Sequence, residues 1–160
     1  MRRNQNLNFS LKLISEDDLN NLRNWKNSNR ENFHFKDNIT LAMHTTWYLE
    51  YIKRYERKQD FMFIVKYLEV SIGCLGFRKI EDSWDGYNVI RGEVLPGTKG
   101  FMSQAFLESI KIAWDIAPLP FQVNVLNYNP AITWYLKCGF KIVNKDKLST
   151  LLVKKYISNN

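Results

Sequence analysis

The residues best suited to chemistry lie in one ten-residue stretch, Val94-Leu95-Pro96-Gly97-Thr98-Lys99-Gly100-Phe101-Met102-Ser103. A β-forming run ends there, a loop with two glycines turns, and a helical pattern starts. Such a loop aims free backbone N–H groups at one point, and the helix that follows adds positive potential. Phosphate or pyrophosphate is the natural ligand. Glycine leaves no Cβ in the way of a close approach, and Lys99 adds a charge at the rim. An ordinary strand-to-helix turn is the competing reading of this loop taken alone. The loop lacks the G-K-[ST] of a Walker loop and the G-x-G-x-x-G of a dinucleotide site.

Other chemistries are poorly served. His34 and His44 are the only imidazoles, and Cys74 and Cys138 lie far apart with no C-x-x-C. No metal is expected from that set, and the thiols should pack as small apolar residues. No G-x-S-x-G elbow supports a serine hydrolase.

The 160 residues carry 23 Lys+Arg against 16 Asp+Glu, for a net charge of +7. The excess is uneven: +3 over 1–60, −1 over 61–120 and +5 over 121–160. The glycine loop therefore sits in a slightly acidic segment, so anion capture there must rest on backbone amides. The basic last third reads as short strands and turns without a recognition helix or RNP motif, so no nucleic-acid partner is expected. No apolar run approaches the ~20 residues of a membrane span. The basic start Met1-Arg2-Arg3-Asn4-Gln5-Asn6 has no apolar signal core behind it, which favours a cytoplasmic protein without a membrane partner.

The elements that must position the loop follow from periodicity. Phe9–Leu13 alternates as a strand. Ser15 and the acids after it start a short helix carrying Leu19, Leu22 and Trp25. A second helix begins near Thr40 or His44, with a stripe of Trp47, Tyr48, Tyr51, Ile52 and Tyr55. Phe61–Val65 is a buried strand, and Val70–Ile80 another. Ser83-Trp84-Asp85-Gly86 reads as a turn, and Tyr87–Leu95 as the third strand of an antiparallel meander. The helix Phe101–Ile116 ends before Pro118 and Pro120. Phe121–Leu126 is a strand, and Ala131–Cys138 a helix closed by Gly139. Phe140–Val143 and Thr150–Val153 are closing strands. The order βαα-βββ-α-β-α-ββ predicts a single α/β (α+β) domain, a mixed and mostly antiparallel sheet flanked by helices.

Gly97-Thr98-Lys99-Gly100-Phe101-Met102 resembles the acyl-CoA pyrophosphate loop of the GNAT N-acetyltransferase superfamily, Q/R-x-x-G-x-G/A. Gly100 matches the key glycine, whereas Gly97 replaces Gln or Arg and Met102 replaces Gly or Ala. Ala131-Ile132-Thr133-Trp134-Tyr135-Leu136-Lys137-Cys138-Gly139-Phe140 is similar to the family's A-I-x-x-Y-x-K-x-G-F. The family's Asn before that Ala falls on Tyr128, between Asn127 and Asn129. Leu22-Arg23-Asn24-Trp25-Lys26-Asn27, then Arg30, Ile39-Thr40, His44 and Trp47, resembles the subgroup that acetylates nucleotide-linked amino sugars, with Lys26 in place of the usual Arg. Ribosomal-protein N-terminal acetyltransferases share much of that helix.

The resemblance implies acetyl-CoA held by amides from Thr98 to Met102, with Lys99, Asn127 and Asn129 nearby. It implies a thioester carbonyl polarised by a backbone N–H near Val94 or Leu95. Tyr135 takes the family's role of proton donor to the leaving thiolate, a phenol of pKa ~10. Glu93 is the candidate base, a solvent-facing strand carboxylate being its competing reading. Trp25, Arg30, His44 and Trp47 are candidates for the acceptor side, by stacking and by phosphate binding. Core packing competes for Trp25 and Trp47, and a local hydrogen bond for His44. The expected activity is direct transfer to a small primary amine, a nucleotide-linked amino sugar first. The alternatives are a protein N-terminus, a polyamine, or a non-catalytic acyl-CoA-binding module. Either a monomer or a homodimer is compatible.

Overall fold

The computed structural model describes residues 8–158; the Met1–Asn6 segment lies outside the described residues. Seven strands form one sheet: β1 (Ser10–Leu13), β2 (Asp60–Tyr67), β3 (Val70–Ile80), β4 (Ser83–Arg91), β5 (Phe121–Leu126), β6 (Lys141–Lys145) and β7 (Ser149–Lys154). Four helices flank it: α1 (Leu19–Ser28), α2 (Leu41–Glu56), α3 (Phe101–Ile116) and α4 (Ala131–Lys137). The spatial order is β1-β2-β3-β4-β5-β7-β6. All neighbours are antiparallel except β4 and β5, so the mixed, mostly antiparallel sheet matches the expectation.

The sheet separates two apolar layers. On one side α3 and α4 bury Phe106, Ile110, Ala113 and Tyr135 against Phe77, Trp84, Phe121 and Val123. On the other, α1 and α2 bury Leu22, Trp25 and Tyr51 against Met62, Ile64, Cys74 and Ile90. Both free thiols are buried. Thr40 caps α2, accepting the Met43 N–H at 3.2 Å, which fixes the helix start named from sequence. Among the described residues no helix is long and apolar enough to cross a membrane.

The β3–β4 connection corrects the sequence reading. Ile80 pairs with Ser83, so the turn is Glu81-Asp82, with Glu81 at φ 52°, and Ser83–Gly86 is strand. The reason is Trp84: it is 1% exposed, and its indole N–H donates to Ala117 O at 3.0 Å. Gly86 is strand for a packing reason, since a Cβ there would sit 2.8 Å from the Phe121 ring. At its other end β4 stops at Arg91, so Val94 and Leu95 belong to the loop rather than to the strand.

Two irregularities in β4 prepare the site. First, the register shifts between Cys74 and Gly76, so Asn88 and Val89 together oppose one β3 residue. Asn88 takes φ 50°, the left-handed conformation of a G1-type bulge. Second, β4 and β5 pair only at Trp84–Phe121 and Asp85–Gln122. Beyond that point the two parallel strands part, and the C-terminal half of β4 has a free edge. A split between parallel strands, at the point where the sheet changes sense, is where α/β folds bind ligands.

Candidate active site

The glycine loop is built to present backbone N–H groups. Gly97 and Gly100 hold φ 80° and 81°, a region that other residues enter only with strain. A Cβ on Gly100 would meet nothing within 4 Å, so this glycine is needed for conformation and for access. Among the described residues, the N–H groups of Gly97, Lys99, Gly100, Met102 and Ser103 donate to no protein acceptor. They sit at the N-terminus of a 16-residue helix, which is suited to a pyrophosphate. Lys99 is exposed at the rim.

Two amides expected in this cradle are spent elsewhere. Thr98 is 4% exposed, and both its N–H and its hydroxyl donate to Leu95 O, at 3.3 and 2.7 Å. The Phe101 N–H returns to Thr98 O at 3.1 Å. Thr98 and Phe101 thus brace the loop rather than line it. Met102, the large residue at a usually small position, leans over the sheet: a Cβ on Gly73 would lie 2.7 Å from its sulfur. Gly73 makes room for Met102, so its side chain is directed at β3.

The cleft between β4 and β5 is a cavity of about 850 Å³. Its walls include Arg91, Asp85, Gln122, Ala131, Asn129 and Tyr135. Tyr135 is 8% exposed, and its hydroxyl makes no hydrogen bond to any described residue. Burial first, then Cys138 and Asp85, pushes its pKa well above the ordinary phenol value, so the hydroxyl keeps its proton. The ring is fixed by Phe106 at 5.6 Å, and α4 is tied to the first turn of α3 by Trp134 Nε1–H to Ser103 Oγ at 2.8 Å. The loop and the phenol are therefore held by one joint.

Asp85 lies 7% exposed in the cleft wall. It accepts from Arg78 Nε at 3.2 Å and from Gln122 Nε2 at 3.4 Å. Burial raises its pKa more than these partners lower it. Sequence reasoning missed it because the segment looked like a turn. Glu93, by contrast, is exposed beyond the strand end and lines neither cavity; its carboxylate is 3.4 Å from Trp25 Nε1. The N–H groups of Gly92 and Glu93 both go to Ile72 O. Backbone groups alternate along an antiparallel ladder, so those of Arg91 face the open cleft edge.

The two asparagines divide. Asn127 is braced against the β7 end: its amide donates to Asp146 O at 2.9 Å and accepts from the Thr150 hydroxyl at 2.7 Å. Asn129 lines the cleft while accepting the Ala131 N–H at 2.9 Å and donating to Asn32 O.

On the α1/α2 side a second cavity of about 230 Å³ adjoins the cleft. Lys26, Phe35, Trp47, Asn88 and Ile90 line both. His44 is 8% exposed and lies flat on Trp47, centroids 5.2 Å apart. Burial, then Arg23 and Lys26, lowers its pKa, so it is neutral at pH 7. Asn27 holds Ile39 by two hydrogen bonds of 2.7 and 3.0 Å, which folds the intervening segment over this cavity. Trp25 and Arg30 line neither cavity. Trp25 is core, flat against Gly92, where a Cβ would come within 2.1 Å of the indole. Arg30 is exposed in a 3-10 turn. Lys26 was read from sequence only as a departure from a pattern; here it bridges the two cavities, donating to Asn88 Oδ1 with its ammonium 3.8 Å above the Phe33 ring. Burial lowers its pKa to about 8.

No protein-family model and no curated protein sequence matches the chain. Solved structures do. A nucleotide-linked sugar GNAT, FdhC, superposes with TM-score 0.80 at 16% identity, over 93% of this chain and 87% of that one. The ribosomal-protein α-N-acetyltransferase RimL, solved with coenzyme A, gives TM-score 0.77 at 13% identity, over 93% and 94%. A PaiA N-acetyltransferase from Thermoplasma acidophilum, also with coenzyme A, gives 0.72 at 18%, over 92% and 99%. With the split β4–β5 edge and the glycine loop opening α3, these likenesses establish that the chain has the fold of the GNAT N-acetyltransferases.

Proposed function

We propose that this chain is an acetyl-CoA-dependent N-acetyltransferase acting on a small primary amine. One observation carries the reading: the loop with unpartnered amides at the start of α3 is tied by the Trp134–Ser103 hydrogen bond to the helix whose protonated, unpartnered phenol lines the split in the sheet. Acetyl-CoA supplies an activated acyl group. The amides of Gly97, Lys99, Gly100, Met102 and Ser103 suit its pyrophosphate, and the Arg91 N–H suits its carbonyl. Transfer forms a C–N bond and breaks a C–S bond. The amine gives up a proton, for which Asp85, inside the cleft with a raised pKa, is better placed than Glu93. Tyr135 supplies a proton to the departing thiolate.

The lining also bears on the acceptor. Among the described residues Asp85 is the one carboxylate lining either cavity, and it is paired with Arg78, whereas Lys26 and Arg91 are both basic. That excess disfavours a polyamine and suits an anionic acceptor. The aromatic surface of Phe33, Phe35 and Trp47 suits a ring to stack. A nucleotide-linked amino sugar has both features and is the acceptor class we assign. The test is calorimetric titration with CoA, followed by an acceptor screen with acetyl-CoA. CoA binding with turnover of nucleotide amino sugars supports the reading. No CoA binding at millimolar concentration sinks it, and turnover of spermidine or N-terminal peptides alone moves the acceptor class.

A further inference from the structure

Two buried side-chain polar atoms lack a hydrogen-bond partner among the described residues, and both lie where α1 meets α2: Arg23 Nε and His44 Nδ1. One turn along α1 from Arg23 is Lys26, which reaches only neutral groups, the Asn88 amide oxygen and the face of Phe33. Among the described residues no carboxylate comes within ion-pairing distance of Arg23, Lys26 or His44. Facing Lys26 from β3 are Arg78, already paired with Asp85, and Cys74, whose thiol burial pushes up to about 12. No anion among the described residues balances this corner. Unpaired polar groups and uncompensated cations cost stability. Beside them lies a cavity lined by both His44 and Lys26.

The geometry points to an anion subsite, formed by Lys26 and His44 with Arg23 behind them, that takes the phosphate of a phosphorylated amine acceptor. Phosphate matches the donor set. An ammonium, an imidazole N–H and a guanidinium approach from two helices, and three phosphoryl oxygens can accept from all of them. Two cations without counter-ions also suit a group of about two negative charges at pH 7. This subsite rests on the acceptor reading above and sharpens it: the acceptor is anchored by its phosphate at the α1–α2 corner, with its amine toward Asp85 and Tyr135.

The test uses inorganic pyrophosphate as the probe, titrated calorimetrically into protein already saturated with CoA, so that the loop amides are occupied. At ~0.05 M salt, where charge attraction is little screened, the wild type binds one pyrophosphate per chain. Lys26→Met weakens that binding about tenfold or more, and Lys26→Arg retains it within about threefold. CoA affinity stays unchanged in both variants and reports that they are folded. Equal pyrophosphate binding by wild type and Lys26→Met overturns the subsite, as does no binding by wild type at ~10 mM. A wild type that binds no CoA overturns the transferase reading instead. The subsite is then judged by the same Lys26→Met comparison on unliganded protein.

Discussion

The two halves of the candidate site are made in opposite ways. Toward α3 the free groups are backbone amides, held by two positive-φ glycines and braced by Thr98. Toward α1 and α2 they are side chains: Lys26, His44 and Trp47 around the bulge at Asn88. A backbone cradle reads the shape of a phosphate and is indifferent to most side-chain changes. A side-chain corner sets charge and size, so it can be retuned one residue at a time. On the proposed function, binding of the group common to all transfers and choice of acceptor fall to different kinds of structure.

That contrast can be broken at several points. The largest effect belongs to Tyr135, where the halves meet. Tyr135→Phe keeps the packing against Phe106 and removes the proton, so kcat falls about 10²–10⁴-fold while CoA affinity is unchanged. A steady-state assay beside calorimetry checks this; loss of both quantities together would make Tyr135 a packing residue. Asp85→Asn comes next, at about 10²-fold in kcat, whereas Glu93→Gln changes kcat less than about threefold. The reverse ranking restores Glu93 as the base. On the backbone half, Gly100→Val strains a φ of 81° and weakens CoA about tenfold or more. Lys99→Ala, which leaves the backbone intact, costs only about twofold. A larger loss for Lys99→Ala than for Gly100→Val would erase the contrast.

The smallest effect is on stability. Lys26 titrates near 8 in the fold against an ordinary value of 10.5. Between those values the unfolded chain binds more protons, so wild-type stability rises with pH across that window. Below pH 8 the fold bears the full cost of the ammonium. Lys26→Met therefore melts higher at pH 7, by about 2–4 °C for each ~1 kcal/mol relieved. The gap closes as pH rises from about 8 toward 10.5. Thermal melts over pH 6–10 measure it, and a lower Tm for the variant at pH 7 would assign Lys26 to holding the fold.

The legible parts of this molecule are those whose cause is local. Thr40 before an aromatic stripe, Gly139 after a short helix, and the glycine loop before Phe101 act within a few residues, and each stands where sequence puts it. Trp84 was misread because Ser, Asp and Gly around it resemble a turn; only the distant Ala117 and Phe121 hold that segment as strand. Asp85 was lost with it. The bulge at Asn88 depends on register against β3, which no local pattern encodes. Lys26 stands in the sequence only as a departure from the Arg of a pattern; its burial depends on Phe33 and Asn88, which close over it. Asn127, named through the resemblance, is held by distant contacts with Asp146 and Thr150 that no local pattern encodes.

The position of β7 bears on how the protein is made. It follows β6 in the chain yet lies between β5 and β6, and its six residues pair with all of β5 from Phe121 to Leu126. Until residues 149–154 leave the ribosome, β5 is an uncovered edge, and the wall that carries Gln122 and supports α4 has no outer neighbour. The glycine loop and the α1–α2 corner can form early in synthesis. The cleft between them waits for a strand near the end of the described residues. A nascent chain stalled before Ser149 should thus display a folded α1–α2–β1–β4 half and an exposed β5, the species most exposed to aggregation and to chaperone capture.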